Sequence, residues 1–70
     1  MELQVVPAID GVFRVVIDGM PVGYVLETGR VFVTLRGSVY NTSVEIGQSL
    51  DLDAAVRLLA REDHASRVGG

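Results

Sequence analysis

Between Val12 and Leu35, apolar and polar residues alternate in three runs, broken at Asp18-Gly19 and Thr28-Gly29. Alternation with period two marks a strand with one buried face. Asp-Gly between two such runs is the strongest short hairpin signal, because a type I′ turn needs positive φ at both central residues. The stretch therefore predicts three antiparallel strands. With Asp18-Gly19 as turn residues, Ile17 faces Met20, Val15 faces Val22 and Phe13 faces Tyr24. With Thr28-Gly29 as the next turn, Leu26 faces Val31, Tyr24 faces Val33 and Val22 faces Leu35. These registers put Phe13, Val15, Ile17, Met20, Val22, Tyr24, Leu26, Val31, Val33 and Leu35 on one face, and a slip of one residue in either hairpin would scatter the set. Pro21 fits as well, since it falls opposite Val16 at a pair that needs no donor toward that strand.

The same pattern weakens on both sides of this stretch. Met1–Ile9 reads as a first strand, at an edge because Pro7 cannot donate to a ladder. A strict Asp10-Gly11 turn would set Leu3 and Val5 away from the core, whereas one extra residue, a bulge at Gly11, returns them to it. Beyond Leu35, Gly37-Ser38 is a third hairpin signal. It would pair Leu35 with Tyr40, Val33 with Thr42 and Val31 with Val44, bring Tyr40, Val44 and Ile46 to the core face, and set Glu27, Arg30 and Glu45 side by side outside. The alternative is a turn at Asn41-Thr42 that shortens this strand into a loop.

From Gly47 the period changes. Leu52, Ala55, Val56 and Leu59 recur at helical spacing, Asp51 is a suitable N-cap, and Leu50 is placed to staple onto Ala55. Asp53 suits the N-terminal end of the helix dipole, and Arg57 and Arg61 the other end. A helix from Leu52 to about Asp63 is expected, followed by a frayed tail, residues 64–70. The expected fold is α+β: a four- to five-stranded antiparallel meander with one C-terminal helix packed on its apolar face, all in one domain, residues 1–63.

One helix covers one face. The other face then carries Val12, Val25 and Phe32 in one row, Arg14, Gly23 and Thr34 in the next, and Val16, Pro21 and Arg36 in a third. A solvated face should be polar, and a chain this short builds little core. The apolar trio and its arginines, Val12, Arg14, Val25, Phe32, Thr34 and Arg36, are accordingly the expected contact residues for a protein partner or a second copy. On this reading Phe32→Asp should leave a folded chain that no longer associates.

Composition narrows the chemistry. The chain has 70 residues, a net charge of −3, no cysteine and no lysine. Disulfide and thiolate–metal help is thus excluded, and an acidic balance disfavours a surface built to neutralise phosphates. No apolar run reaches the ~18 residues of a membrane span, and the opening MELQVVP lacks a secretory leader's basic and apolar regions, so a cytoplasmic setting is expected. His64, the lone histidine, falls in the expected tail without an orienting partner. Ser38, Ser43, Ser49 and Ser66 have no activating base, and Asp51 and Asp53 suit capping better than metal binding. No catalytic, cofactor or metal site is expected, and no small-molecule ligand.

Two resemblances sit beside this reading. DGMPVGYVLETGRVFVTLRG followed by SLDLDAAVRLL resembles small bacterial and phage domains with a "DG..VG" hairpin, a "G-R" hairpin and a terminal "sLd.AV..L" helix. That resemblance implies a β-meander with a C-terminal helix and carries no activity. Three strands followed by a helix also resemble the arm-binding domains of phage-type integrases. There the exposed sheet face enters the DNA major groove, which would give Arg14, Thr34 and Arg36 the contacts; those domains are usually basic, whereas this chain is acidic. The expectation is a small non-enzymatic protein–protein interaction module, self-associating or acting on a larger bacterial or phage partner, with nucleic-acid binding through the exposed sheet face as the alternative.

Overall fold

A computed structural model describes residues 2–68, and side chains through residue 65. Five antiparallel strands lie side by side in chain order. They are β1 (Leu3–Ile9), β2 (Val12–Ile17), β3 (Met20–Thr28), β4 (Val31–Arg36) and β5 (Val44–Ser49), and one helix, α1 (Leu52–Val68), follows. This is the expected α+β meander with a C-terminal helix against the sheet.

The turn chemistry accounts for the hairpins. Asp18 and Gly19 both have positive φ, 51° and 81°, as a type I′ turn demands, and Ile17 pairs with Met20 across it. The second turn falls at Gly29-Arg30, one residue later than the sequence pattern suggests, with Gly29 supplying the positive φ of 62°. Leu26 then pairs with Val33, not Val31, and Tyr24 with Leu35, not Val33. That slide is an even number of positions, so every side chain in β3 and β4 keeps its face.

The larger departures come from bulges at Ala8, Val22 and Ile46. At Val22 the ladder passes from Val16–Pro21 to Val15–Gly23, so Phe13 pairs with Val25 instead of Tyr24. One extra residue in β3 turns β2 over relative to it. The ten apolar residues expected on one face are therefore divided. Phe13, Val15 and Ile17 share a side with Gly23 and Val25, while Tyr24, Leu26, Val31, Val33 and Leu35 face the other way. In β1 the extra residue is Ala8 rather than Gly11, and it brings Leu3 opposite Ile17 and Val5 opposite Val15, on the expected side of the sheet, but both stay exposed outside the core. The Gly37-Ser38 hairpin does not form. A 3-10 turn, Tyr40–Thr42, leads into β5, and Leu35 pairs with Glu45. Glu27 lies opposite Phe32 and Arg30 in a turn, so the expected Glu27–Arg30–Glu45 ladder is absent.

The helix starts as expected. The Asp51 carboxylate accepts the Ala54 N–H at 2.8 Å, and the Asp51 carbonyl takes the first helical bond, from Ala55. Leu50 does not staple: it is 82% exposed. The helix also continues past Asp63 to Val68, through most of the expected tail; Gly69 and Gly70 lie outside the described residues. Its stripe of Ala55, Val56 and Leu59 buries against Val15 and Val25, with Phe13, Val22, Phe32, Ile46 and Leu52 around the rim. The helix thus sits on the face carrying Val25 and Thr34.

Small residues explain that choice. Gly23, Thr34 and Gly47 lie along the helix track, where bulky side chains would hold the helix away. A Cβ on Gly23 would sit 2.7 and 2.9 Å from the two Leu59 methyls, and one on Gly47 2.5 Å from a Leu58 methyl. Thr34, fully buried, donates its hydroxyl to the Ala55 carbonyl at 3.1 Å. Such close approach needs a strip without large side chains.

Candidate protein-contact surface

The bulge at Val22 and the docking of the helix relocate the expected contact residues. Val25 and Thr34 are fully buried beneath α1, and Phe32 is half-buried against the same core cluster. The three therefore form part of the helix-facing core and are not a solvent-facing patch. Val12 does face away from the helix, but it pairs with Leu26 and is only 5% exposed. The expected row of Val12, Val25 and Phe32 does not exist. Arg14 is exposed on the helix-free face, opposite Tyr24, while Arg36 follows Thr34 on the helix side. Arg14, Thr34 and Arg36, the trio carried over from the integrase resemblance, are split between the two faces.

The helix-free face is not a bare apolar platform. Val12, Leu26 and Val33 form one cross-strand row, and Arg14, Tyr24 and Leu35 the next. Tyr24 and Val33 are buried along with Val12. The segment joining β4 to β5 accounts for Tyr24. The tyrosine hydroxyl donates to the Ser38 carbonyl at 3.1 Å, and the Tyr40 ring meets it edge-on, with centroids 5.5 Å apart. An aromatic pair in this T-shaped geometry contributes about 0.5–1.5 kcal/mol beyond its buried area.

Exposed large apolar side chains occur on β1 and, elsewhere, at Met20, Val39, Tyr40, Val44 and Leu50. All seven residues of β1 are exposed, and Leu3, Val5, Val6 and Ile9 retain 41, 36, 40 and 68% of their surface. Leu3 and Val5 point to the helix side but lie beyond the helix, which packs mainly on β3, β4 and β5.

The hydrogen-bond phase of β1 follows from one bond. The Asp18 N–H donates to the Glu2 carbonyl at 2.8 Å, which makes Glu2–Asp18 a hydrogen-bonded pair. Alternation along an antiparallel ladder then makes Gln4–Val16 and Val6–Arg14 hydrogen-bonded pairs, and Leu3–Ile17, Val5–Val15 and Pro7–Phe13 non-bonded ones. The main-chain N–H and C=O of Leu3 and Val5 consequently point outward, away from β2. Pro7 occupies the next outward position, where its lack of an N–H costs the sheet nothing. The Glu2 N–H, directed inward, is held by the Asp18 carboxylate at 2.7 Å.

The opposite edge is built differently. β5 is interrupted by the bulge at Ile46, and the Gln48 amide donates to the Glu45 carboxylate at 3.3 Å beside it. Bulges and charges are devices that blunt an edge. β1 carries its own bulge, at Ala8, but before it the ladder runs unbroken from Leu3 to Pro7, a stretch in which Pro7 is the one such device.

Sequence reasoning marked β1 as an edge strand because of Pro7 but sought the contact surface on a face. The available signal was the run LQVV, apolar on both sides of a strand that can have only one buried face.

Among the described residues there is no cavity, no group of three or more His, Asp or Glu side chains placed to hold a metal ion, and no helix long and apolar enough to cross a membrane. His64 is exposed on α1. No protein-family model matches the chain, and neither the curated proteins nor the solved structures contain a match.

Proposed function

We propose that this domain is a non-enzymatic protein-contact module that engages an extended strand along the free edge of β1. The observation that carries the reading is the outward-facing backbone of Leu3 and Val5 on a strand whose seven residues are all exposed. An edge with unused donors and acceptors is a template for a further strand, and flanking apolar side chains add affinity and register. The contact surface thus moves from the sheet face, where the residue pattern first placed it, to the sheet edge.

Photo-crosslinking in the producing cells tests the proposal. A photoreactive residue at Leu3 should give discrete adducts, and one at Arg57, exposed on the outer side of α1, should not. Val5→Pro removes an outward donor without touching the ladder to β2 and should abolish the Leu3 adducts. Equal labelling from both positions, or adducts unaffected by Val5→Pro, would refute an edge-directed contact.

A further inference from the structure

We infer that the strand received by β1 is β1 of a second copy, paired antiparallel about a two-fold axis at Gln4. The inference rests on the edge-contact reading above and adds the identity of the partner. Its support is the self-complementarity of the sequence around that axis. Pairing Leu3 with Val5 of the second copy, and Val5 with its Leu3, joins the outward N–H and C=O of both residues on both chains in an isologous interface.

Each side chain also finds a compatible neighbour in this register. On the helix side Leu3 lies beside Val5 of the second copy, apolar against apolar, at two places related by the axis. On the other side Gln4 meets Gln4, and Val6 meets Glu2. Glu2 is the one charged residue between positions 2 and 7, and the symmetry keeps it away from its own counterpart, where like charges directly opposed would be destabilising. Shifted symmetric registers do worse. A two-fold at Leu3 would pair only Leu3 with its counterpart within β1, a two-fold at Val5 would set Leu3 against Pro7, which returns no N–H, and a two-fold at Val6 would bring Pro7 into the central hydrogen-bonded pairs.

Pro7 therefore defines one end of the contact instead of forbidding it. The resulting ten-stranded sheet, five from each chain, would also cover the apolar surface of Leu3, Val5 and Val6 that the single helix leaves exposed.

The experiment uses the purified full chain. Sedimentation equilibrium should give twice the chain mass at concentrations up to about 1 mM, the weak end of specific association. Val5→Pro should give the single-chain mass with an unchanged far-ultraviolet spectrum. In an otherwise cysteine-free chain, Gln4→Cys should oxidise to a disulfide-linked dimer. The residues at the axis form a non-hydrogen-bonded pair with Cα atoms about 4.5 Å apart, within the ~4.4–6.8 Å range for a disulfide. Val39→Cys, exposed but distant from the edge, should not oxidise in this way.

A monomer at every concentration, with Gln4→Cys no more readily linked than Val39→Cys, would overturn pairing with a second copy. The cellular adducts from Leu3 would still report on the edge-contact reading separately. A dimer that survives Val5→Pro and links at Val39 would overturn the β1 interface itself. The cysteine comparison does not depend on whether the proline variant folds.

Discussion

Gly23→Ala is the most discriminating single substitution, because its sign depends on which sheet face the helix covers. A Cβ at this position would stand 2.7 and 2.9 Å from the methyls of fully buried Leu59 and would also overlap the Leu35 carbonyl oxygen. The methyls can turn aside only into packed neighbours, and the carbonyl belongs to the β3–β4 ladder and cannot. Overpacking by one carbon in a filled core costs about 1–3 kcal/mol, and contact with backbone puts this site at the upper end. Alanine recovers roughly 0.5–1 kcal/mol through lower chain entropy in the unfolded state.

The net expectation is a loss of about 2 kcal/mol, or roughly 8–16 °C in Tm for a domain of this size. Urea denaturation of wild type and variant measures it, with an unchanged m-value confirming that the same unit unfolds. Combining the change with Leu59→Ala should cost less than the sum of the two single changes, by about 1 kcal/mol, because the truncated side chain makes room for the new carbon. On a solvent-facing strand the same alanine would be neutral or stabilising. A Gly23→Ala variant as stable as wild type would therefore refute both the docking face and the bulge at Val22.

Two further predictions probe the same architecture. Phe32→Asp, once expected to leave the fold intact, places a carboxylate against the helix-facing core, so it should destabilise by about 3 kcal/mol or more. Thermal melting checks this, and a variant as stable as wild type would place Phe32 outside the core. Asp51→Ala removes the acceptor for the Ala54 N–H and should lower stability by about 1 kcal/mol, while Asp51→Asn should largely preserve it. Equal losses in the two variants, compared by urea denaturation at neutral pH, would show that the cap bond is not the cause.

Local chemistry alone determined much of this protein. Asp18-Gly19 specifies a hairpin because few other pairs accept positive φ at both positions, and Asp51 starts the helix because its carboxylate fits the free N–H groups of the first turn. Pro7 marks β1 as an edge for an equally local reason: it has no donor to give a neighbour. Strand order, the terminal helix and its apolar stripe follow from signals of this kind. Tertiary structure decided which side of the sheet the helix would cover. Both faces of β2–β4 carry apolar residues, Val25 and Phe32 on one and Tyr24, Leu26 and Val33 on the other, so alternation could not rank them. The choice fell to the face where Gly23, Thr34 and Gly47 let the helix come close, a property of three strands together. The bulge at Val22 is likewise set by what packs around it, and one extra residue reverses the facing of all that pairs beyond it. Val25, Phe32 and Thr34 consequently belong to the core, and the candidate contact surface falls at the β1 edge, where the chain's own register leaves backbone groups directed outward.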